Sequence, residues 1–265
     1  MIAAAPAKIN LALVVGPRRA DGMHELLTVF QRLELADRIT VEPAESTTVE
    51  GFPGDILVAA ALASLEAPHG WRAVIEKRIP VAAGLGGGSS DAAAALRLGN
   101  AQLERPHDDG RLRELAMGLG ADVAFFLAGG PQLGSGVGAT LEPLELPQRF
   151  AVLLLLPHGS EKASTGAVYD AFDARRGSNG FAARAEALRD AIARVRAPRD
   201  LAALPPNDLA SSDHVHALLA LGAFRADVSG AGPVVYALFD DRSAAERARA
   251  SVRHLGACWV TDPAW

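Results

Sequence analysis

A short run of glycine and serine in the first half of the chain is the segment best suited to chemistry. The stretch VAAGLGGGSSDAAAAL at 81–96 places four glycines within five positions, followed by two serines, an aspartate and a run of alanines. Glycine permits positive φ angles and lets a bulky group approach the backbone closely. Exposed N–H groups and the positive end of the dipole converge at a helix N-terminus, so the pattern predicts a cradle for a polyphosphate. Ser89, Ser90 and Asp91 are the expected N-cap residues.

Two better-known phosphate loops do not fit these residues. A Walker A loop requires a lysine after its last glycine, and none follows Gly88. A dinucleotide fingerprint requires the spacing G-x-G-x-x-G directly after a strand, whereas the preceding segment ends at Pro80. Other chemistry is weakly supported, since His214 and His216 would face different sides of a helix and Ser229 lacks the spacing of a nucleophile elbow. A flexible connector is the remaining alternative to a phosphate cradle.

The elements expected around this loop alternate between strands and helices. β-branched and apolar segments predict strands at 7–15, 25–35, 37–43 and 71–79. Alanine- and leucine-rich segments predict helices at 56–66, 89–103 and 111–119. The second half is expected to contain a buried strand at 151–157, helices at 164–173, 181–196 and 213–221, strands at 224–230 and 234–240, a helix at 242–255 and a strand at 257–262. That order predicts a ferredoxin-like second half.

The composition is that of an ordinary globular protein. The chain has 265 residues, is 49% hydrophobic and carries 26 basic against 31 acidic side chains, so non-specific nucleic-acid binding is not expected. Cys258 is the only cysteine, which excludes an internal disulfide and makes a reducing cytoplasm the expected compartment. We expect neither a signal peptide nor a membrane-spanning segment, because the apolar run at 151–157 is too short to cross a bilayer.

Three separated motifs follow one another over almost the whole chain. They are PAKINLAL at 6–13, PVAAGLGGGSSDAAAAL at 80–96 and VSGAGPVVYALF at 228–239. In this order they resemble the three motifs of the GHMP kinases, the family of galactokinase, homoserine kinase and mevalonate kinase. The resemblance implies an α+β fold of two domains, a ribosomal-protein-S5-like domain at 1–147 and a ferredoxin-like domain at 148–265. It also implies ATP as co-substrate together with Mg²⁺.

Further segments narrow the resemblance. They are RRADGMHEL at 18–26, GADVAFFLAGG at 120–130, SGVGATLEPL at 135–144 and the tripeptide at 207–209. These are similar to the signatures of one group within that family, the 4-diphosphocytidyl-2-C-methyl-D-erythritol kinases. The resemblance implies transfer of the ATP γ-phosphoryl group to the 2-hydroxyl of a cytidyl-diphosphate sugar alcohol, in the non-mevalonate isoprenoid pathway. A monomer or weak homodimer is expected.

The resemblance also implies a role for individual residues. Asp122 would accept the proton of the acceptor hydroxyl, and the charge of Lys8 would keep that aspartate ionised. The residues implied to bind the substrate are Asn10, Met23, His24, Val137, Thr165 and Tyr169. Those implied to bind ATP are Lys77, Pro80, Val81, Ala82, Ala83, Gly84, Leu85, Gly86, Gly87, Gly88, Ser89, Ser90, Gly230 and Gly232, with Ser90 also a candidate Mg²⁺ contact.

Most of these residues have an ordinary interpretation when taken alone. Asp122 would be a helix N-cap after a glycine, and Lys8 and Lys77 would be solvated lysines at strand ends. His24 would be a surface histidine. Thr165 and Tyr169, four residues apart, would share one face of an amphipathic helix.

The chain differs at four positions from the usual signatures of the 4-diphosphocytidyl-2-C-methyl-D-erythritol kinases that it resembles. Met23 stands where tyrosine is usual, Ala124 replaces a proline, Ala139 a glutamate and Asp55 an asparagine. Met23 alone would touch the substrate, where the usual tyrosine stacks on cytosine together with the ring at position 169. Two alternatives stay open: a homoserine- or mevalonate-type kinase with a smaller acceptor, and a non-catalytic nucleotide-binding protein on the same scaffold.

Overall fold

The computed structural model describes residues 1–160 and 164–265, and they form two compact units. The first unit contains Met1–Ala7, Leu35–Val81 and Gly86–Gly129; the second contains Lys8–Glu34, Ala82–Leu85 and Gly130–Trp265. The chain therefore passes between the units several times. The division at residues 147 and 148 drawn from the sequence remains a prediction.

The elements alternate along the chain much as the sequence indicates. Up to residue 143 they are β1 (Ile2–Arg18), β2 (His24–Ala44), β3 (Thr48–Glu50), α1 (Leu57–Ala63), β4 (Gly70–Glu76), α2 (Gly87–Asn100), α3 (Asp109–Leu119), α4 (Ala121–Leu127), β5 (Gln132–Gly136) and β6 (Thr140–Pro143). Thereafter they are β7 (Ala151–Pro157), α5 (Thr165–Ala174), α6 (Phe181–Arg194), a 3-10 helix (Pro198–Ala203), α7 (His214–Ala220), β8 (Arg225–Val228), β9 (Val235–Phe239), α8 (Arg242–Val252), β10 (Gly256–Thr261) and β11 (Pro263–Ala264).

The first unit packs helices against a small sheet. The C-terminal part of β2 pairs antiparallel with β4, from Arg38 opposite Glu76 to Ala44 opposite Gly70, and β3 pairs parallel with β4. Helix α2 contacts α1, α3 and α4, and its residues 92–96 are all buried. Alanine side chains add little bulk, so the neighbouring helices can approach α2 closely along several faces. This packing fixes the helix that follows the glycine loop.

The second unit contains a four-stranded antiparallel sheet in the order β10-β7-β9-β8. Strand β7 lies between β10 and β9, and its residues 152–155 are completely buried, as its continuous apolar sequence predicts. Helices α7 and α8 pack on this sheet through Leu218, Ala245 and Val252. The strand order is that of a ferredoxin-like fold, so the prediction for the second half and the α+β class are confirmed.

The same unit also contains the first part of β2. Residues Leu26–Phe30 pair antiparallel with β5, β5 pairs with β6, and β11 pairs with Leu33 and Arg32. No helix among the described residues combines the length and the apolar character needed to cross a membrane.

Two details of the sequence prediction are wrong. Residues 24–44 form one continuous strand instead of the two predicted at 25–35 and 37–43. Asp37 is buried within this strand, where it accepts hydrogen bonds from the backbone N–H groups of Arg78 and Ile79. Helix α2 begins at Gly87 with Gly86 as its N-cap, so the two serines and Asp91 lie inside the helix and do not cap it.

Candidate active site

The second motif touches the third motif directly within the second unit. Gly84 has φ +80°, and a Cβ added there would lie 2.3 Å from the carbonyl oxygen of Ser229. The Ser229 hydroxyl donates a hydrogen bond of 2.9 Å to the carbonyl oxygen of Gly84. The Val234 N–H donates to the carbonyl oxygen of Ala83 at 3.3 Å. Only glycine fits at position 84, because the two loops meet backbone to backbone.

The first motif joins the same group through Lys8. The Lys8 backbone N–H donates to the carbonyl oxygen of Leu85 at 2.9 Å, and its ammonium donates to Asn10 Oδ1 at 2.6 Å. The ammonium also lies 5.7 Å from the centre of the Phe30 ring. Lys8 is only 4% exposed, so the interpretation as a solvated lysine is wrong. Burial of an ammonium is costly in free energy unless hydrogen bonds or an anion compensate.

Asn10 is oriented by its own hydrogen bonds. Its Nδ2 donates to the Thr28 hydroxyl at 2.8 Å, and that hydroxyl donates to the carbonyl oxygen of Ala12 at 2.8 Å. The Asn10 Oδ1 therefore points to Lys8, and the ammonium is held in one place by a rigid pair of neighbouring strands.

Gly230 brings the third motif against both of these side chains. Its φ is +58°, and a Cβ there would lie 3.4 Å from Asn10 Oδ1 and 3.5 Å from Lys8 Nζ. Gly232 also has a positive φ, +77°. The backbone at position 230 thus lies beside the buried ammonium. Glycine allows this close approach because it has no Cβ.

Asn207 fixes this third motif, a role that the sequence did not indicate. Its Nδ2 donates to the carbonyl oxygens of Val228 at 2.9 Å and Gly230 at 2.7 Å, while its Oδ1 accepts from the Leu209 N–H at 2.8 Å. The tripeptide at 207–209 was identified only by its similarity to a family signature. Its asparagine positions the glycine loop through the two bonds that its Nδ2 donates, while the bond from Leu209 orients the amide.

His24 lies in an aromatic cluster of the second unit. Its ring stacks on Tyr169 with centroids 4.7 Å apart and 28° between the planes, and it meets Phe172 edge-on at 6.1 Å. Its Nε2 lies 2.9 Å from Asp173 Oδ1. The histidine is buried, so the interpretation as a surface residue is wrong.

The other residues implied to bind the substrate are more open. Thr165 and Tyr169 lie on α5, where Thr165 is exposed and Tyr169 half-buried. Met23 is 56% exposed and lies in a turn where its N–H donates to Asp21 Oδ1 at 3.0 Å. Val137 lies half-buried in the turn between β5 and β6. A core position for Met23 is therefore excluded.

The rest of the glycine loop belongs to the first unit. Gly86 has φ +71° and caps α2 with no side-chain hydrogen bond, so its first N–H groups are not claimed by a capping side chain. Ser90 is buried, and its hydroxyl has no hydrogen-bond partner among the described residues. An orphaned hydroxyl in the first turns of such a helix fits a contact with phosphate or Mg²⁺ after a small rearrangement. The described residues contain no cluster of three or more His, Cys, Asp or Glu side chains suited to a metal.

Lys77 is held by two buried carboxylates of the first unit. Its Nζ lies 2.5 Å from Asp37 Oδ2 and 2.9 Å from Asp91 Oδ2. Burial lowers the pKa of Lys77, but the hydrogen bonds to both carboxylates outweigh this and raise it above its usual value. Burial raises the pKa of Asp91 to about 7, the charge of Asp37 adds to the shift, and Lys77 opposes it. The interpretation of Lys77 as a solvated lysine is wrong, and its contact with ATP remains a prediction.

Asp122 lies half-buried in the first turn of α4. Gly120, with φ 150°, is the N-cap of that helix, and no side-chain hydrogen bond caps it, so the capping interpretation of Asp122 does not hold. Asp122 belongs to the first unit and Lys8 to the second. Their catalytic pairing remains a prediction.

Comparisons with known proteins agree with the motifs. The family described as "GHMP kinases N terminal domain" matches residues 55–130, and "GHMP kinases C terminal" matches residues 212–258. A protein of Pelobacter propionicus named 4-diphosphocytidyl-2-C-methyl-D-erythritol kinase is 38% identical, with 94% of this chain and 92% of that protein covered. One of the same name from Desulfitobacterium hafniense is 35% identical, with 96% and 93% covered.

Solved structures give the same result. The crystal structure of a 4-(cytidine 5'-diphospho)-2C-methyl-D-erythritol kinase superposes with a TM-score of 0.79 at 36% identity, covering 100% of both chains. The mevalonate kinase of Methanococcus jannaschii superposes with a TM-score of 0.77 at 11% identity, covering 100% of this chain and 98% of that one. The second likeness extends to the fold alone.

Proposed function

Since this chain belongs to the GHMP kinases and, among them, to the family of 4-diphosphocytidyl-2-C-methyl-D-erythritol kinases, we propose that it phosphorylates 4-diphosphocytidyl-2-C-methyl-D-erythritol with ATP. The acceptor would be the 2-hydroxyl of the methylerythritol moiety, in the non-mevalonate isoprenoid pathway. The observation that carries the proposal is the direct contact of all three motif segments around the buried ammonium of Lys8.

ATP would bind through backbone groups of the glycine loop. Gly84 and Gly86 adopt positive φ angles, and α2 begins with no side-chain cap. Such an N-terminus attracts phosphate oxygens through its N–H groups and its dipole. Mg²⁺ would neutralise charge on the β- and γ-phosphates when bound. The residues of the chain then have to orient the acceptor and move one proton.

We assign proton transfer to Asp122 and electrostatic support to Lys8. An alcohol is a poor nucleophile until its proton is accepted, and a half-buried carboxylate in the first turn of a helix is a suitable acceptor. The Lys8 ammonium is held by Asn10, so no reorientation is needed when negative charge develops in the transition state. Its burial strengthens the interaction, because the local dielectric constant is lower than that of water.

The cytosine would be recognised beside Tyr169. One face of the Tyr169 ring is covered by His24, so the base would stack on the opposite face. Met23, exposed and next to His24 in sequence, would cover the base from the other side in place of the usual tyrosine. Thr165 would lie nearer the reacting groups on the same face of α5. A cytoplasmic location and a monomeric or weakly dimeric state belong to the same proposal.

An ADP-release assay with three acceptors tests this function. The cytidyl substrate, homoserine and mevalonate are compared at equal concentrations, with Asp122→Asn measured alongside the wild type. We expect rapid release with the cytidyl substrate alone, and a large loss of that rate in the variant. Turnover of homoserine or mevalonate instead would assign the chain to another GHMP kinase, and ATP binding without turnover of any acceptor would support the non-catalytic alternative.

A further inference from the structure

The second unit contains a buried arginine that the proposed mechanism does not use. Arg225 lies on β8 and is 6% exposed. Its Nη1 donates hydrogen bonds to the carbonyl oxygens of Leu204 at 2.6 Å and Leu201 at 3.3 Å, and its Nη2 donates to that of Pro205 at 2.9 Å. These carbonyl groups lie just before Asn207 in the chain, so the guanidinium fixes the backbone that leads to this residue.

Asp227 connects this arginine to the third motif. Its Oδ2 accepts from the Asn207 backbone N–H at 2.9 Å and lies 3.4 Å from Arg225 Nη2, and its Oδ1 accepts from the Val228 N–H at 2.8 Å. Both carboxylate oxygens therefore have donors, as a buried charge requires. Because Asn207 Nδ2 donates to the carbonyl oxygen of Gly230, this branch of the network ends at the glycine loop.

Tyr236 connects the same arginine to the first motif. Its hydroxyl accepts a hydrogen bond of 3.0 Å from Arg225 Nε and donates one of 3.1 Å to the carbonyl oxygen of Leu11 on β1. Burial raises the pKa of Tyr236 to about 12, so the hydroxyl keeps its proton and remains a donor at neutral pH. Leu11 follows Asn10, which accepts the hydrogen bond from the Lys8 ammonium, so this second branch ends on the other side of the same ammonium.

The network occupies one face of the β8-β9 pair. Tyr236 lies opposite Asp227 in the register of the two strands, and Arg225 lies two residues before Asp227, on the same face. Val235 and Ala237 flank Tyr236 and point to the other face, where they pack in the apolar core with α7 and α8. Apolar side chains of similar volume would stabilise the polar face at least as well as a buried ion pair, so stability alone does not explain the network.

We propose that Arg225, Asp227 and Tyr236 are positioning residues that fix the distance between the glycine loop at 228–232 and the Lys8 ammonium. The proposal rests on the function proposed above and deepens its catalytic site. A buried network whose members are all hydrogen-bonded leaves few alternative arrangements. Displacement of the ammonium lowers the rate of the chemical step, because charge that develops in the transition state must meet a group already in position. ATP affinity, which we ascribe to the start of α2, changes little.

Tyr236→Phe tests the network with the smallest change, since it removes the hydroxyl and keeps the ring. We expect kcat with the cytidyl substrate to fall about 3- to 10-fold, the effect of about one hydrogen bond. The Kd of ATP in calorimetry should stay within about twofold of the wild-type value. The matched control is Phe239→Leu, on the same strand but in the apolar core of the other face. It should lower Tm and leave kcat, measured well below Tm, unchanged.

Lysine-selective NMR tests the displacement independently of activity. The chain has only three lysines, so isotope-labelled lysine gives three ε-methylene signals, and Lys8→Arg identifies that of Lys8. The Lys8 ammonium lies 5.7 Å from the centre of the Phe30 ring, whose ring current makes this signal sensitive to position. We expect Tyr236→Phe to move the Lys8 signal and to leave that of Lys77, which belongs to the first unit. Phe239→Leu should move neither signal.

Arg225→Lys serves as a second variant if Tyr236→Phe does not fold. It keeps the positive charge beside Asp227 but loses the planar fork that reaches Tyr236 and the carbonyl groups together. The same lower kcat, unchanged ATP affinity and shifted Lys8 signal are expected.

The kinetic and NMR results have to agree. A fall in kcat without movement of the Lys8 signal, movement without a fall in kcat, or no change in either would overturn the inference. An equal loss of kcat in Phe239→Leu would also overturn it, because any weakening of the sheet would then lower the rate. The proposed function fails separately if the wild type does not turn over the cytidyl substrate, a result on which the NMR comparison does not depend.

Discussion

Gly84→Ala is expected to be severely disruptive, although it adds a single methyl group. The new Cβ would lie 2.3 Å from the carbonyl oxygen of Ser229 and 3.0 Å from that of Gly232, and real Cβ atoms essentially never approach closer than 3.0 Å. The φ of +80° adds strain, because alanine rarely adopts it. The loop at 229–232 must therefore move away from residues 82–85.

The size of the effect can be worked out from these contacts. Left-handed strain costs about 1–2 kcal/mol. Displacing the Ser229 carbonyl endangers the 2.9 Å hydrogen bond that it accepts from the Gly232 N–H, which is worth about 1 kcal/mol. A loss of about 2–3 kcal/mol follows, which corresponds to a fall in Tm of roughly 4–12 °C for a chain of this size. ATP affinity should fall as well, because the loop no longer keeps its backbone path.

Gly88→Ala is the matched control in the same loop. Position 88 lies inside α2 at an ordinary φ, and its Cβ would meet only Leu57 Cδ1 at 3.8 Å. Alanine favours a helix over glycine by about 0.8–1 kcal/mol, so Tm should be unchanged or slightly raised. The two variants are compared by differential scanning calorimetry and by ATP titration. An unchanged Tm and ATP affinity in Gly84→Ala, or equal destabilisation of both variants, would refute the reasoning.

Three further predictions concern the proton acceptor, the cytosine site and the buried carboxylate of Asp91. Asp122→Asn should lower kcat by about 10²–10⁴-fold with little change in ATP affinity, while Asp109→Asn leaves kcat unchanged; a loss of less than about tenfold would assign proton transfer to another group. Met23→Tyr should tighten the cytidyl substrate a few-fold in calorimetry and leave Tm alone, because ring stacking of about 0.5–1.5 kcal/mol replaces a thioether contact of about 0.3–1.5 kcal/mol. A lower Tm with no gain in affinity would show that Met23 does not cover the base. For Asp91, the pKa is raised from 3.8 to about 7, so the folded state binds more protons and the stabilisation is lost as pH rises through this range. The Tm of Asp91→Asn relative to that of the wild type should therefore rise from pH 4 to pH 8. Parallel pH profiles of Tm for the two proteins would contradict the raised pKa of Asp91.

The sequence predicts best where a single local signal decides the structure. Glycines followed by alanines predict α2, and the continuous apolar run at 151–157 predicts the central strand β7. The resemblance of three motifs to those of the GHMP kinases identifies the segments that meet around Lys8. These features depend on residues close together in the chain or on a recognisable pattern.

Prediction from the sequence fails where a polar residue is buried. Asp37 begins the second of two predicted strands, yet it is buried inside one continuous strand because the N–H groups of residues 78 and 79 satisfy its carboxylate. Ser90 and Asp91 look like helix caps, yet they face the interior of the first unit. Asn207 is identified from the sequence only as part of a family signature. Its hydrogen bonds to Val228 and Gly230 show that it positions the third motif. Each depends on a partner far away in sequence, which local propensity does not encode.

During synthesis, β2 cannot pair with β11 until residues 263 and 264 have been made. Leu33 and Arg32 pair with Pro263 and Ala264, at opposite ends of the sequence. At a ribosomal rate of about 5–20 residues per second, the first of these segments emerges on the order of ten seconds or more before its partner exists. Throughout that interval Arg32 and Leu33 lack the strand that pairs with them, and such a short unpaired edge is one that other chains can join. The yield of native protein should therefore depend on what shields this edge during synthesis. A variant that ends before Pro263 should aggregate, and this defect should be more evident than a loss of activity.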